Sequence, residues 1–185
     1  MIRLFAFISL VWFSSIGLSS DFFKLEKNNQ YENEKLTFDY MPFHSNKTQI
    51  YLNKNGQEFW TYKYGNSVRD RYVNFKNENF KANKTEKYGT MNNKFVLYDP
   101  EMTHKMETYW TIDAKIGDKW QGNILYFDVN ATLTEFGDVV INGQKTKYAK
   151  INLYDLKRNM EGYVIFAKDI GMIEFKLAYQ YLRLK

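Results

Sequence analysis

The chain has no cysteine and only two prolines, Pro42 and Pro100. Without cysteine there is no disulfide and no thiolate metal site, and the lipid anchor that bacterial lipoproteins attach to an amino-terminal cysteine is ruled out. The fold must be held by its core alone. Histidine is almost missing too: His44 and His104 stand sixty residues apart, and neither has a metal-ligating partner at short spacing. Mature serines are few, Ser45 and Ser67 with Ser20 at the boundary, and none sits in a Gly-x-Ser-x-Gly elbow. No glycine-rich phosphate loop and no calcium loop occurs, so no cofactor is expected.

Long hydrophobic runs are also lacking. The longest, Leu4 to Phe13, is broken by Ser9 and falls short of the roughly 20 residues that cross a bilayer. With Arg3 before it and Ser14, Ser15, Gly17, Ser19 and Ser20 after it, the run has the three parts of a secretory signal. Residues 1–19 are read as that signal, residues 20–34 as a polar leader with room for a short first strand, and residues 35–185 as one domain. The expected location is periplasmic or secreted, with no transmembrane span after cleavage. About 165 mature residues suffice for a single core. The formal charge of +5 becomes +4 once Arg3 is removed, and the signs alternate along the chain. No basic block marks a nucleic-acid partner.

Aromatic residues are abundant: 15 Tyr, 15 Phe and 4 Trp make up 18% of the chain. These residues favour strands, and the periodicity agrees. Leu36, Phe38 and Tyr40 alternate with Lys35, Thr37 and Asp39, and Ile50 and Leu52 repeat the pattern. Asn55-Gly56 then supplies a hairpin turn into Trp60, Tyr62 and Tyr64. The meander continues through Tyr72, Val73 and Phe75. Lys81 to Asn93, rich in Lys, Asn and Thr, reads mostly as loop. Short strands are expected at Phe95–Tyr98 and Glu107–Asp113. From Leu125 to Thr134 the apolar residues fall on odd positions, a period of two with one buried face. Asn142-Gly143 marks a second hairpin, Asp169-Ile170-Gly171 a corner, and Ile173 to Tyr181 reads as one closing strand. The helical signal is limited to a turn or two at Asp99–Thr108 and Asp155–Met160, neither with an apolar stripe. Ten to twelve short-linked strands require antiparallel pairing. The fold class is therefore all-β, a strongly curved sheet forming a half-barrel or lipocalin-like barrel, with a β-sandwich as the alternative.

Several segments carry a resemblance. Ile116-Gly117-Asp118-Lys119-Trp120 is similar to a Gly-Asp-x-Trp step of small exported bacterial β proteins. Thr146-Lys147-Tyr148-Ala149-Lys150-Ile151 matches a strand that follows it. Tyr163-Val164-Ile165-Phe166-Ala167-Lys168-Asp169-Ile170-Gly171 looks like their closing corner, with Asp169 where the first glycine is usual. Gly56 to Tyr64 looks like their opening Gly-x-x-Trp-x-Tyr. On these segments the chain resembles the lipocalin-like, half-barrel periplasmic proteins of the TapB-like group. The resemblance implies a fold and a compartment, and carries no catalytic residues with it.

Three functional expectations follow. In the first, the protein is a non-enzymatic binding or interaction module. Trp60, Tyr62, Tyr64, Tyr109, Trp110 and Trp120 would line a concave aromatic surface for an apolar small molecule, a lipid or an envelope component, unless the same rings simply fill the inside of the sheet. In the second, the protein binds or cleaves carbohydrate, with Asp113, Asp128, Glu135 and Glu174 as candidate carboxylates. Asp128 and Asn130 share one strand face near Tyr126, and the clean alternation favours reading them as a plain polar outer face. A third reading is a structural surface protein that associates through sheet edges.

Overall fold

The computed structural model describes residues 23–41, 48–64, 70–77, 80–98 and 106–185. The segment read as a signal lies outside them, as do both histidines and the three serines. Among the described residues there are thirteen strands: β1 Phe23–Lys27, β2 Thr48–Leu52, β3 Glu58–Tyr64, β4 Asp70–Asn77, β5 Phe80–Met91, β6 Lys94–Tyr98, β7 Met106–Thr111, β8 Lys119–Ile124, β9 Phe127–Ile141, β10 Gln144–Asp155, β11 Met160–Ala167, β12 Gly171–Leu177 and β13 Gln180–Leu184. Every pairing is antiparallel, in the order β1-β9-β10-β11-β12-β13-β2-β3-β4-β5-β6-β7, with β8 added to β9 beside β1. The expected all-β class is the one found. The ladder does not close into a barrel, so the arrangement is a half-barrel or sandwich.

The alternation in the carboxy-terminal half becomes packed rows. Leu133, Ile151, Val164, Phe175 and Leu182 are register partners across five consecutive strands, and all are fully buried. Each such side chain contributes about 1.5–3 kcal/mol relative to exposure. The outward row beside it is Thr132, Asn152, Tyr163, Lys176 and Tyr181. At Thr134 and Glu135 the register shifts: Lys150 pairs with Glu135 and Ile151 with Leu133. This bulge turns Phe136 inward, against Tyr40 at 5.9 Å, and ends the odd-position pattern.

Three segments depart from the sequence reading. Lys81–Asn93, expected as loop, is mainly β5, with β4 on one side and β6 on the other. Its ladder hydrogen bonds override a composition that has little strand propensity. Lys35–Met41, expected as a strand, makes a single bridge from Leu36 to Ala114 and then a 3₁₀ turn at Phe38–Tyr40. Leu36, Tyr40 and Met41 are buried and Phe38 is half-buried, but none of them joins a strand ladder among the described residues. The closing strand is two strands, because the chain reverses at Ala178–Tyr179. The segment read as a leader contributes β1 at the edge of β9. It is pinned there by Asn28 and Tyr31, which donate to Asp138 at 3.0 and 2.8 Å.

Candidate functional site: an outer polar groove

The aromatic residues expected to meet a ligand lie mostly inside. Trp60, Tyr62, Tyr109, Trp110 and Trp120 are each at most 7% exposed. Trp110 stacks on Phe95 at 4.5 Å and meets Phe166 edge-on at 5.1 Å. Tyr62 sits edge-on to Tyr51 at 5.1 Å and to Trp60 at 5.9 Å. The Trp120 indole donates to the Tyr109 carbonyl at 3.0 Å, and the Tyr109 hydroxyl donates to Glu107 at 3.1 Å. The rings thus pack their faces on one another, and Trp120 and Tyr109 place their polar atoms on the fold, whereas the buried Trp110 indole N–H has no hydrogen-bond partner among the described residues. Tyr64 ends β3 opposite Arg71, and its side chain lies outside the described ones. Trp60 and Trp120 also border open surface, each at the edge of a depression.

The four candidate carboxylates are dispersed. Asp113 sits in a turn, 3.7 Å from Lys35. Asp128 accepts from Asn123 at 2.8 Å and pairs with Lys157. The Lys157 hydrogen bond is the main reason its carboxyl lies below the ordinary range. Glu135 accepts from Tyr148, and Glu174 from Tyr163 at 3.1 Å. The register runs Glu135, Lys150, Ile165, Glu174 across four strands. The two glutamates are therefore three strand spacings apart, about 14 Å. Asp128 and Glu135 lie seven residues apart on one strand, about 23 Å. Paired glycosidase carboxylates lie about 5–10 Å apart, so neither couple makes such a pair. Around Glu174 the phenols respond instead. Burial, then the Glu174 charge and its hydrogen bond, push Tyr181 up to about 12 and push Tyr163 up as well.

What the fold does assemble is a groove of about 560 Å³ on the outer face of β8–β11. Two register rows build it: Lys119, Thr132 and Asn152, then Gln121, Asn130, Tyr154 and Glu161. Successive rows on one face stand about 7 Å apart. Beneath them Trp120, Ala131 and Leu153 point into the core, so the strands that carry the groove are anchored from behind. Gly162 lies at the edge, and a Cβ there would stand 2.1 Å from the Lys176 carbonyl oxygen. Five of the seven polar side chains are uncharged hydrogen-bonding groups, and Tyr154 offers a part-exposed ring. Sequence alternation places Asn130 on the outer face of its strand, whereas Gln121, Asn152 and Glu161 become its neighbours only through cross-strand register.

No protein-family model, curated protein or solved structure matches the chain.

Proposed function

We propose that the protein is an exported, non-enzymatic binding module, and that its recognition surface is the outer groove of β8–β11. The ligand class that suits the groove is a neutral or weakly charged polyhydroxylated one, a glycan segment. The observation carrying this reading is the density of uncharged donors and acceptors in one concave strip, with a tyrosine ring able to stack on a sugar face. Gln121, Asn130 and Asn152 each offer a carbonyl and an amide, matching hydroxyls that both donate and accept. The separation of the carboxylates favours binding over hydrolysis. An apolar ligand held among the aromatic residues inside the curve, the other expectation, finds less support, because those rings already pack on one another. Export fits a sheet whose first strand begins at Phe23, so that cleavage after Ser19 leaves β1 whole.

Glycan-array screening of the processed protein, followed by titration calorimetry, tests the reading. Asn130→Ala with Asn152→Ala should weaken glycan binding at least about tenfold, equivalent to 1.4 kcal/mol, with the melting temperature unchanged. Absence of glycan binding, or binding indifferent to both substitutions, would refute it.

A further inference from the structure

One end of the sheet gathers four neighbouring hairpin turns: 53–57 between β2 and β3, 125–126 between β8 and β9, 156–159 between β10 and β11, and 178–179 between β12 and β13. Exposed large apolar residues concentrate there. Tyr126, Leu156, Met160 and Tyr179 are 36%, 46%, 43% and 77% exposed. The turns are tied into one rim. Leu156 N–H donates to the Asp128 carbonyl at 3.0 Å. The Arg158 guanidinium lies 5.2 Å from the Phe127 ring and 5.6 Å from the Tyr179 ring. An apolar notch of about 350 Å³, bordered by Phe59, Trp60 and Tyr181, joins the Tyr179 turn to the 53–57 turn.

Within these four described turns the charges have one sign, and Glu58 and Glu161 follow in the flanking strands. Within the four turns the only charged residues are Lys54, Lys157 and Arg158. The acids that pair with two of them are set back in the strands. Asp155 is fully buried, accepting from the Lys157 and Arg158 backbone N–H groups at 2.9 and 3.1 Å and from the Arg158 guanidinium at 2.8 Å. Asp128 pairs with Lys157, whose side chain remains 72% exposed. The outermost layer is thus aromatic, aliphatic and cationic. That combination suits the boundary between lipid headgroups and acyl chains, where ring and aliphatic tips insert and cations meet anionic phosphates.

We propose that these hairpin tips form a membrane-surface docking site for anionic phospholipid. The site is separate from the glycan groove and does not depend on it. Co-sedimentation of the processed protein with phosphatidylcholine vesicles, with and without phosphatidylglycerol, tests it. Binding should require phosphatidylglycerol and weaken with added salt. Leu156→Ser with Tyr179→Ser should lower the partition coefficient at least about tenfold, since each tip buries apolar surface in the bilayer. Lys54→Glu should lower it about tenfold or more, because attraction becomes repulsion. The substituted side chains are exposed, so an unchanged melting temperature certifies the fold of each variant. Failure to sediment with either vesicle, equal sedimentation with both, or indifference to the tip substitutions would overturn the proposal. Self-association abolished by the same substitutions would overturn it too, by assigning the tips to a second copy of the chain.

Discussion

Two buried tyrosines show how much a single hydroxyl matters here. Tyr51 donates to the Met172 carbonyl at 2.7 Å, joining β2 to the start of β12. Tyr40 is equally buried, but its hydroxyl has no hydrogen-bond partner among the described residues. Burial is also the first cause that pushes the Tyr40 phenol up. A satisfied buried hydrogen bond contributes about 1 kcal/mol, whereas an unsatisfied group carries a desolvation penalty of about 1–3 kcal/mol. Tyr51→Phe should therefore lower stability by about 1 kcal/mol. Tyr40→Phe should be neutral or stabilising by a similar amount. Urea denaturation of both variants checks the contrast, and a clear loss for Tyr40→Phe would contradict it. Neither role was legible in the sequence: the alternation puts Ile50 and Leu52 on the apolar face of β2, whereas the structure buries Tyr51 and Gln49 and leaves Ile50 and Leu52 half-buried.

At the scale of elements, the hairpins divide by how openly their turns are written. Asn142-Gly143 adopts left-handed backbone at both positions, φ 50° and 77°, as the dipeptide suggests. Gly56 does the same at the β2–β3 turn, with φ 74°. The β12–β13 turn has no such signal, yet Ala178 takes φ 53°. A left-handed residue other than glycine costs about 1–2 kcal/mol, and glycine's extra chain entropy costs about 0.5–1 kcal/mol. Ala178→Gly should consequently be stabilising by a few tenths to about 1 kcal/mol, read as a melting temperature about 1–3 °C higher. A lower melting temperature would mean that the Ala178 methyl contributes packing that this balance omits. The hidden turn also explains why Tyr179, counted in sequence among the alternating residues of one strand, emerges instead as the most exposed large apolar side chain described. Similarly, β5 is held as a strand by two neighbours rather than by its own residues.

The whole molecule depends on how the two ends of the sheet meet. β7 and β8 approach without sharing a ladder; a Cβ on Gly122 would stand 2.4 Å from the Thr108 carbonyl oxygen. Gly122→Ala should force these strands apart and cost about 1–3 kcal/mol. Gly89→Ala, with no atom within 4 Å of the added Cβ, should be nearly neutral. Thermal melts of the pair read the difference. Acid acts on two other junctions. At Asp138 burial pushes the carboxyl up, but hydrogen bonds from Asn28, Tyr31 and Lys145 outweigh it; Asp155 is likewise held low by Arg158 and the backbone N–H groups of its turn. Both groups sit below their unfolded values. Their stabilisation is therefore present above about pH 4 and is lost as pH falls through the lowered folded values. The melting temperature should decline below about pH 4, and Asp138→Asn should flatten that decline. An acid limb as steep in the variant as in the parent would refute this assignment.

Residue order alone determined the strand character, the one-sided burial of the carboxy-terminal half and the two asparagine-glycine hairpins, because period-two alternation and left-handed turn chemistry are local properties of the chain. It could not determine which strands stand beside which. The collection of Gln121, Asn130, Asn152, Tyr154 and Glu161 into a groove, the spreading of the four acids, and the gathering of Tyr126, Leu156, Met160 and Tyr179 at one rim all depend on cross-strand register. Register is set by bulges, by unsignalled turns and by core packing between distant segments, so only the tertiary structure decided it.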